Sequence, residues 1–377
     1  MISFDFQSRT RIVFGAATLS QLGELARGLG GHRVLVVSDS GVIEAGHCQR
    51  ATELLKSAGV EIALFDGVHE NPSTQDVESG CQFAHEFKPD LLVGLGGGSS
   101  MDCAKGINFL FSNGGAMQDY WGIGKATEPM LPMIAVPTTA GTGSEAQSFA
   151  LITDVKTHVK MACGDKKAAF RIAILDPELT VTQPSQVTAL TGYDALAHAV
   201  ETCVTKKRNE LSRTLSRESW RLLATNLRQV FENPDDLKAR EAMQLGACIA
   251  GFAIENSMLG AAHALANPLT ARYGIVHGQA VAIVLPAVVR FNAVLMEQDY
   301  SELASILTPG DPTTLSLIGF LERVRDEVGL EGNLANCGVE KSDLGSLATE
   351  AAKQWTAGFN PREVQESDLL ELYQQVW

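Results

Sequence analysis

Three histidines and one aspartate fall in a single, largely apolar part of the sequence. Gly192-Tyr-Asp194-Ala-Leu-Ala-His198-Ala-Val-Glu201 is followed by Gly260-Ala-Ala-His263-Ala-Leu-Ala-Asn267-Pro268 and then by Val276-His277-Gly278. No Gly or Pro interrupts Tyr193 to Val204, so this segment predicts a helix on which Asp194 and His198, four residues apart, share one face. A carboxylate buried among histidines is costly unless something neutralises it. A divalent cation held by three neutral imidazoles and one carboxylate would do so, and mixed oxygen and nitrogen donors suit Fe(II) or Zn(II) better than Mg(II) or Ca(II). Without a cation, the Asp194/His198 pair reads as a helix-terminal pair or a hydrogen-bonded core histidine. Glu201, on the same face, reads either as an acceptor that orients an imidazole or as a solvated helix charge.

Two further stretches could bind an anion. Pro89-Asp-Leu-Leu-Val-Gly-Leu-Gly96-Gly97-Gly98-Ser99-Ser100-Met-Asp102 runs from a strand through glycines into a helix whose first turn carries Ser99 and Asp102. Glycines let a phosphate approach the backbone, and free amides at a helix N-terminus bind anions. The competing reading is a tight turn with Ser99 as N-cap. The G-x-G-x-x-G fingerprint is absent. Met133-Ile-Ala-Val136 leads into Pro137-Thr138-Thr139-Ala-Gly141-Thr142-Gly143-Ser144, whose hydroxyls can bond phosphate or ribose without adding charge, or form a capped turn. Asp39, at the end of the strand after His32, could accept bonds from the hydroxyls of an adenosine ribose. It would repel a 2′-phosphate, which favours NAD over NADP. Alternatively it serves an Asx-turn.

Those residues must be positioned by two kinds of architecture. Strands and helices alternate from residue 2 to Pro184, which predicts a Rossmann-like parallel sheet in a domain spanning 1–182. Two short strands are expected within 2–14 (Ile2, Phe4 and Phe6, then Arg11 to Phe14), and a hairpin turns at Thr153-Asp154-Val-Lys156. Beyond Pro184 the strand signals fade. Helices are expected over 186–190, 192–204, 211–231, 237–256, 259–267, 277–292, 313–328, 344–355 and 366–376, in an all-α domain spanning 183–377. A dinucleotide site in one half and a metal site in the other imply a cleft between them.

Composition sets the outer bounds. The 377 residues exceed one comfortable core, and 45% hydrophobic with 20% charged content describes a soluble globular protein. A net charge of −14 argues against nucleic-acid or anionic-membrane partners. Seven scattered cysteines with no Cys-x-x-Cys pair fit reduced thiols in the cytoplasm. No secretory signal is visible, and no apolar stretch is expected to reach the length of a membrane span.

The spacing Asp176-x7-Pro184-x9-Asp194-x3-His198-x2-Glu201, followed by His263 and His277-Gly278, resembles the iron-containing (group III) alcohol dehydrogenases along nearly the whole chain. The resemblance implies a dehydroquinate synthase-like architecture and a small primary alcohol or aldehyde exchanging hydride with NAD(H). Asp194, His198, His263 and His277 would hold Fe(II), with Zn(II) also possible. Gly97, Gly98, Ser99 and Asp102 would form the pyrophosphate turn, Thr138, Thr139, Thr142 and Ser144 a second cofactor loop, with Asp39, Asn71 and Lys160 reaching the cofactor as well. A homodimer or higher homo-oligomer is implied. Family members commonly carry a histidine where this chain has Asn267, which can bond a substrate oxygen but cannot titrate near neutrality. The proton would then leave by the cofactor ribose, by water or by another group. A glycerol-, maleylacetate- or phosphonoacetaldehyde-type reductase shares the pattern. A dehydroquinate synthase-like lyase would need several basic residues near the metal, where Met258 to Gln279 offers only Arg272. A non-enzymatic binding protein on the same fold is the remaining reading.

Overall fold

The structure, a computed structural model, describes residues 3–308, 310 and 312–377. Short, β-branched runs form the strands of the first half: β1 (Arg11–Phe14), β2 (Arg33–Val37), β3 (Glu61–Phe65), β4 (Leu91–Gly96), β5 (Gly122–Ile123), β6 (Met133–Pro137), β7 (Phe149–Thr153), β8 (Lys160–Gly164) and β9 (Ile172–Leu175). Between them lie α1 (Leu22–Gly28), α2 (Ser40–Glu44), α3 (His47–Ser57), α4 (Thr74–Phe87) and α5 (Gly98–Asn113). Six strands make a parallel sheet in the order β1-β9-β6-β4-β2-β3, and β5-β8-β7 make a small second sheet. β2 and β4 are fully or almost fully buried, as continuous apolar runs in a covered parallel sheet require. Leu22, Ala51 and Leu55 pack on one face against Val34, Val36, Val93 and Ile134.

The chain leaves β2 for β3 on one side and returns to place β4 on the other. The carboxyl ends of β2 and β4 are therefore the topological switch point, where open α/β sheets bind ligands. The expected hairpin is present, with β7 and β8 antiparallel and Thr153 opposite Lys160. The expected first strand is not. Residues 3–9 carry no strand, Phe4 and Phe6 are 51% and 41% exposed, and Ile2 lies outside the described residues. Alternation alone makes no strand without a neighbouring ladder, and only Arg11–Phe14 finds one, on β9.

These elements form one compact unit, residues 7–183; the second, residues 184–377, with which residues 3–6 group, is helical. It contains α6 (Ser185–Val204), α7 (Glu210–Glu232), α8 (Leu237–Ser257), α9 (Ala261–Tyr273), α10 (His277–Leu307), α11 (Thr314–Glu327), α12 (Leu344–Ala352) and α13 (Glu366–Gln375). Two helices expected at 186–190 and 192–204 are one, because Gly192 continues the helix; a Cβ there would lie 2.4 Å from Leu227 Cδ1, so α7 fills the space. α9 runs through Pro268 and ends at the left-handed Gly274. α10 passes the expected end at Asn292 and reaches Leu307, with a kink at Met296. Its later residues Tyr300, Leu303 and Ala304 are buried, and Trp220 Nε1 donates to Leu303 O at 2.9 Å. By length and composition α10 is apolar enough to cross a bilayer, contrary to the expectation that no segment is; 61% of its apolar window is buried inside the protein.

α6 and α10 meet at backbone distance. A Cβ on Gly278 would lie 2.2 Å from Leu190 O, closer than any side chain permits. Gly278→Ala should therefore push the two helices apart and cost about 3 kcal/mol or more, read as a lowered urea midpoint with an unchanged slope.

Candidate metal centre

Asp194 and His198 lie one turn apart in the middle of α6 and are both buried. His263 is the third residue of α9 and His277 the first of α10. Three helices thus deliver four side chains to one point. His263 Nε2 is 3.4 Å and His277 Nε2 3.8 Å from Asp194 Oδ1, and His198 Nε2 is 3.6 Å from Asp194 Oδ2. One donor atom each from Asp194, His263 and His277 lies within 4.8 Å of the other two. His198 stands just outside that group, stacked on His263 with ring centroids 4.9 Å apart. Asp194 Oδ1 and His263 Nε2 are buried and make no hydrogen bond. Such atoms are rare in folded proteins and call for an ion or a similar partner.

Glu201 resolves toward the orienting role. It is 3% exposed, and its Oε2 accepts from His263 Nδ1 at 2.6 Å while its Oε1 accepts from the amide of Ala262 at 2.8 Å. With the proton on Nδ1, His263 presents the Nε2 lone pair to Asp194. Asn360 Oδ1 accepts from the amide of Ala261 at 3.3 Å, so the first two amides of α9 both have side-chain acceptors. A Cβ on Gly260 would sit 3.0 Å from Glu201 Oε1 and 3.1 Å from Asn360 Oδ1, which keeps that position a glycine. Asn360 is held in turn by Asn292, with amide contacts of 2.8 and 3.0 Å. Nothing in the local sequence around His263 points to Asn360, ninety-odd residues on.

The electrostatics follow from burying two carboxylates together. Burial pushes the Asp194 carboxyl up, but the charges of His198, His277 and His263 outweigh it and hold it well below the usual carboxylate range. Burial pushes His263 down, and Glu201 and Asp194 outweigh that and raise it to about 9. Without a cation, a proton on His263 offsets part of the negative charge. One divalent cation would cancel both carboxylates and leave every imidazole neutral, so the donor set fits a divalent metal in charge as well as in type.

The residues expected at a dinucleotide gather at the switch point of the α/β unit. α5 begins at Gly98, so Gly97, not Ser99, is the N-cap, and no side chain caps it. A long helix with uncapped amides and a glycine approach fits a pyrophosphate. Cβ atoms on Gly96 and Gly98 would lie 2.5 Å from Ser100 Oγ and 2.7 Å from Thr142 Cγ2, and Thr139 lines Gly97. The amide of Thr138 donates to Gly96 O at 2.9 Å, which ties the glycine and threonine loops together. Asp39 caps α2 through the amide of Val42 and accepts from Ser100 Oγ at 2.8 Å. The turn role is real, and it places the carboxylate beside Gly96. Lys160 Nζ donates to Asn71 Oδ1 at 2.9 Å, and the Asn71 amide to Ser99 Oγ at 3.2 Å, which joins three expected cofactor residues.

Asp102 and Ser144 have another use. Ser144 Oγ donates to Asp102 Oδ1 at 2.5 Å, the Leu151 amide donates to Asp102 Oδ2, and Lys105 Nζ donates to Ser144 O, Ser144 Oγ and Phe149 O. Lys105 is fully buried. This network pins the threonine loop and β7 to α5, so Asp102 and Ser144 support the glycine turn from behind.

Comparison with known proteins agrees with this geometry. The family model for iron-containing alcohol dehydrogenase matches residues 9–177, and that for the C-terminal part of the Fe-containing alcohol dehydrogenase family matches residues 188–377. The chain is 34% identical to a 1,3-propanediol dehydrogenase of Citrobacter freundii over 99% of both chains. It is 32% identical to an NAD-dependent methanol dehydrogenase of Bacillus methanolicus over 96% of both. A solved 1,3-propanediol oxidoreductase superposes with a TM-score of 0.96 at 34% identity, covering 100% of each chain. The chain belongs to the iron-containing alcohol dehydrogenase family and is an NAD-dependent alcohol and aldehyde oxidoreductase.

Proposed function

We propose that this chain interconverts a small primary alcohol and its aldehyde, with residues 1–182 as the NAD-binding domain and residues 183–377 as the helical catalytic domain. In this reading Asp194, His198, His263 and His277 hold Fe(II), and Zn(II) can take the same donors. The observation that carries the assignment is the pair of buried, unsatisfied atoms, Asp194 Oδ1 and His263 Nε2, aimed at one point. The cation supplies Lewis acidity at an alcohol or carbonyl oxygen, and NAD(H) carries the hydride.

The chain's own residues do the rest. Glu201 fixes the tautomer of His263 and its rotation about the side chain. Gly97, Gly98 and Ser99 offer backbone amides to the pyrophosphate, Thr138, Thr139 and Thr142 line the same turn, and Asp39 discriminates against a 2′-phosphate. Lys160, bonded to Asn71, reaches the cofactor ribose. Asn267 can hydrogen-bond a substrate oxygen but carries no proton that titrates near neutrality, so it would orient the oxygen without serving as acid or base. We further propose a cytoplasmic homodimer or higher homo-oligomer, supported by seven cysteines without disulfides and by β1 at the edge of its sheet.

The test is metal analysis of anaerobically purified protein, together with NADH oxidation against small aldehydes before and after chelation. About one iron or zinc per chain with chelator-sensitive turnover is the expected result; turnover by metal-free protein sinks the assignment. His263→Ala should lower metal content and turnover to baseline together, and a fully active metal-free variant removes His263 from the ligand set. Glu201→Gln should weaken metal binding about 10- to 100-fold, measured by chelator competition. Asp39→Gly should raise kcat/KM with NADP relative to NAD, at a stability cost of about 1 kcal/mol or more, since glycine is tolerated at an N-cap but the buried Ser100 hydroxyl loses its acceptor. An unchanged cofactor ratio would confine Asp39 to its turn.

A further inference from the structure

α9 carries a second polar side chain on the face that bears His263. Asn267 lies one turn beyond it, and residues so spaced stand about 5–6 Å apart at Cβ. Asn267 is half-buried, and its Nδ2 donates to Gln354 Oε1 at 3.0 Å. Gln354, also half-buried, immediately precedes the short turn Trp355–Phe359, which packs on α9. Among the described residues neither amide has another hydrogen bond.

The pair therefore presents an unused acceptor, Asn267 Oδ1, beside an unused donor, Gln354 Nε2. Exchanging oxygen and nitrogen in both amides reverses the bond between them but leaves the same outward complement of one acceptor and free N–H groups. The small neutral group that can donate to one and accept from the other is a hydroxyl. A carboxylate, phosphonate or ammonium substituent would find no counter-charge in this pair, and an alkyl substituent would leave both amides unsatisfied.

We propose that the Asn267–Gln354 pair binds a second hydroxyl of the substrate, so that this chain selects small hydroxyaldehydes and the corresponding diols over unsubstituted aldehydes and alcohols. The proposal rests on the reading of Asp194, His198, His263 and His277 as the reaction centre. Neither amide moves a proton; the pair positions and selects.

The test compares 3-hydroxypropanal with propanal, and glycolaldehyde with acetaldehyde, using metal-loaded enzyme and NADH. The expected result is a preference in kcat/KM for the hydroxylated member of about 10-fold or more, because a site built to bond a hydroxyl rejects the analogue that lacks it. Gln354→Met, which keeps length and removes both polar atoms, and Asn267→Leu should each raise KM for the hydroxyaldehyde and bring the ratio toward one. A wild-type ratio near one, or variants that lose both substrates in equal proportion, overturns the proposal while the oxidoreductase reading stands. Wild-type enzyme inert to all four aldehydes overturns that reading and this proposal together.

Discussion

Two carboxylates with almost no access to water, Asp194 and Glu201, sit on either side of one imidazole, and the helical half of the protein is arranged around neutralising them. Buried charge left alone is among the most expensive features a fold can contain. The chain meets the cost with backbone amides, imidazoles and room for a cation. Glu201 acts twice, since one oxygen accepts from the start of α9 and the other from the ring of His263. A negative side chain at a helix N-terminus is favourable in itself, so the interaction that starts the helix also aims the ring of His263.

On the proposed reading of its loops, the α/β half solves the opposite problem, holding a phosphate in a protein of net charge −14. It does so with neutral parts: uncapped amides of α5, glycines without room for a Cβ, and hydroxyls of the threonine loop. The one fully buried lysine nearby, Lys105, does not face a ligand. It is spent on Asp102 and on the carbonyls of Ser144 and Phe149, where it keeps two loops in register.

Much of this could be read from the chain itself where the information is local. Asp194 and His198 are one helical turn apart, and the alternation of strands with helices gave the parallel sheet and the hairpin before Lys160. What could not be read depends on partners distant in sequence. The face of α6 that bears Glu201 says nothing of what packs on it, so a solvated charge and an orienting acceptor looked alike. Asn360 and Gln354 carry no local signal. Asp102 reads as a phosphate residue when the helix is taken to carry it in its first turn, yet α5 begins at Gly98 with no acidic residue in that turn, and the Asp102 oxygens point to Ser144 and Leu151. The strand expected at Phe4 and Phe6 failed for the same reason, since a strand is a property of a pair. Helix ends at Asn292 and Asn267 were placed too early because tertiary packing, through Tyr300 and Leu303 on α10, carried the helix past a residue of poor helical propensity.

The contact at Gly278 has a bearing on how this protein can change over generations. The separation of α6 from α10 is set by main chain against main chain, at a glycine and a carbonyl, and no choice of side chain in the surrounding core adjusts it. The span from Asp194 to His277 is thereby insulated from drift elsewhere. Asn267, one turn beyond His263 on α9, and Gln354, just before the turn Trp355–Phe359, are free of that constraint. Side chains at such positions can be rewritten while the main-chain ruler between α6 and α10 stays the same.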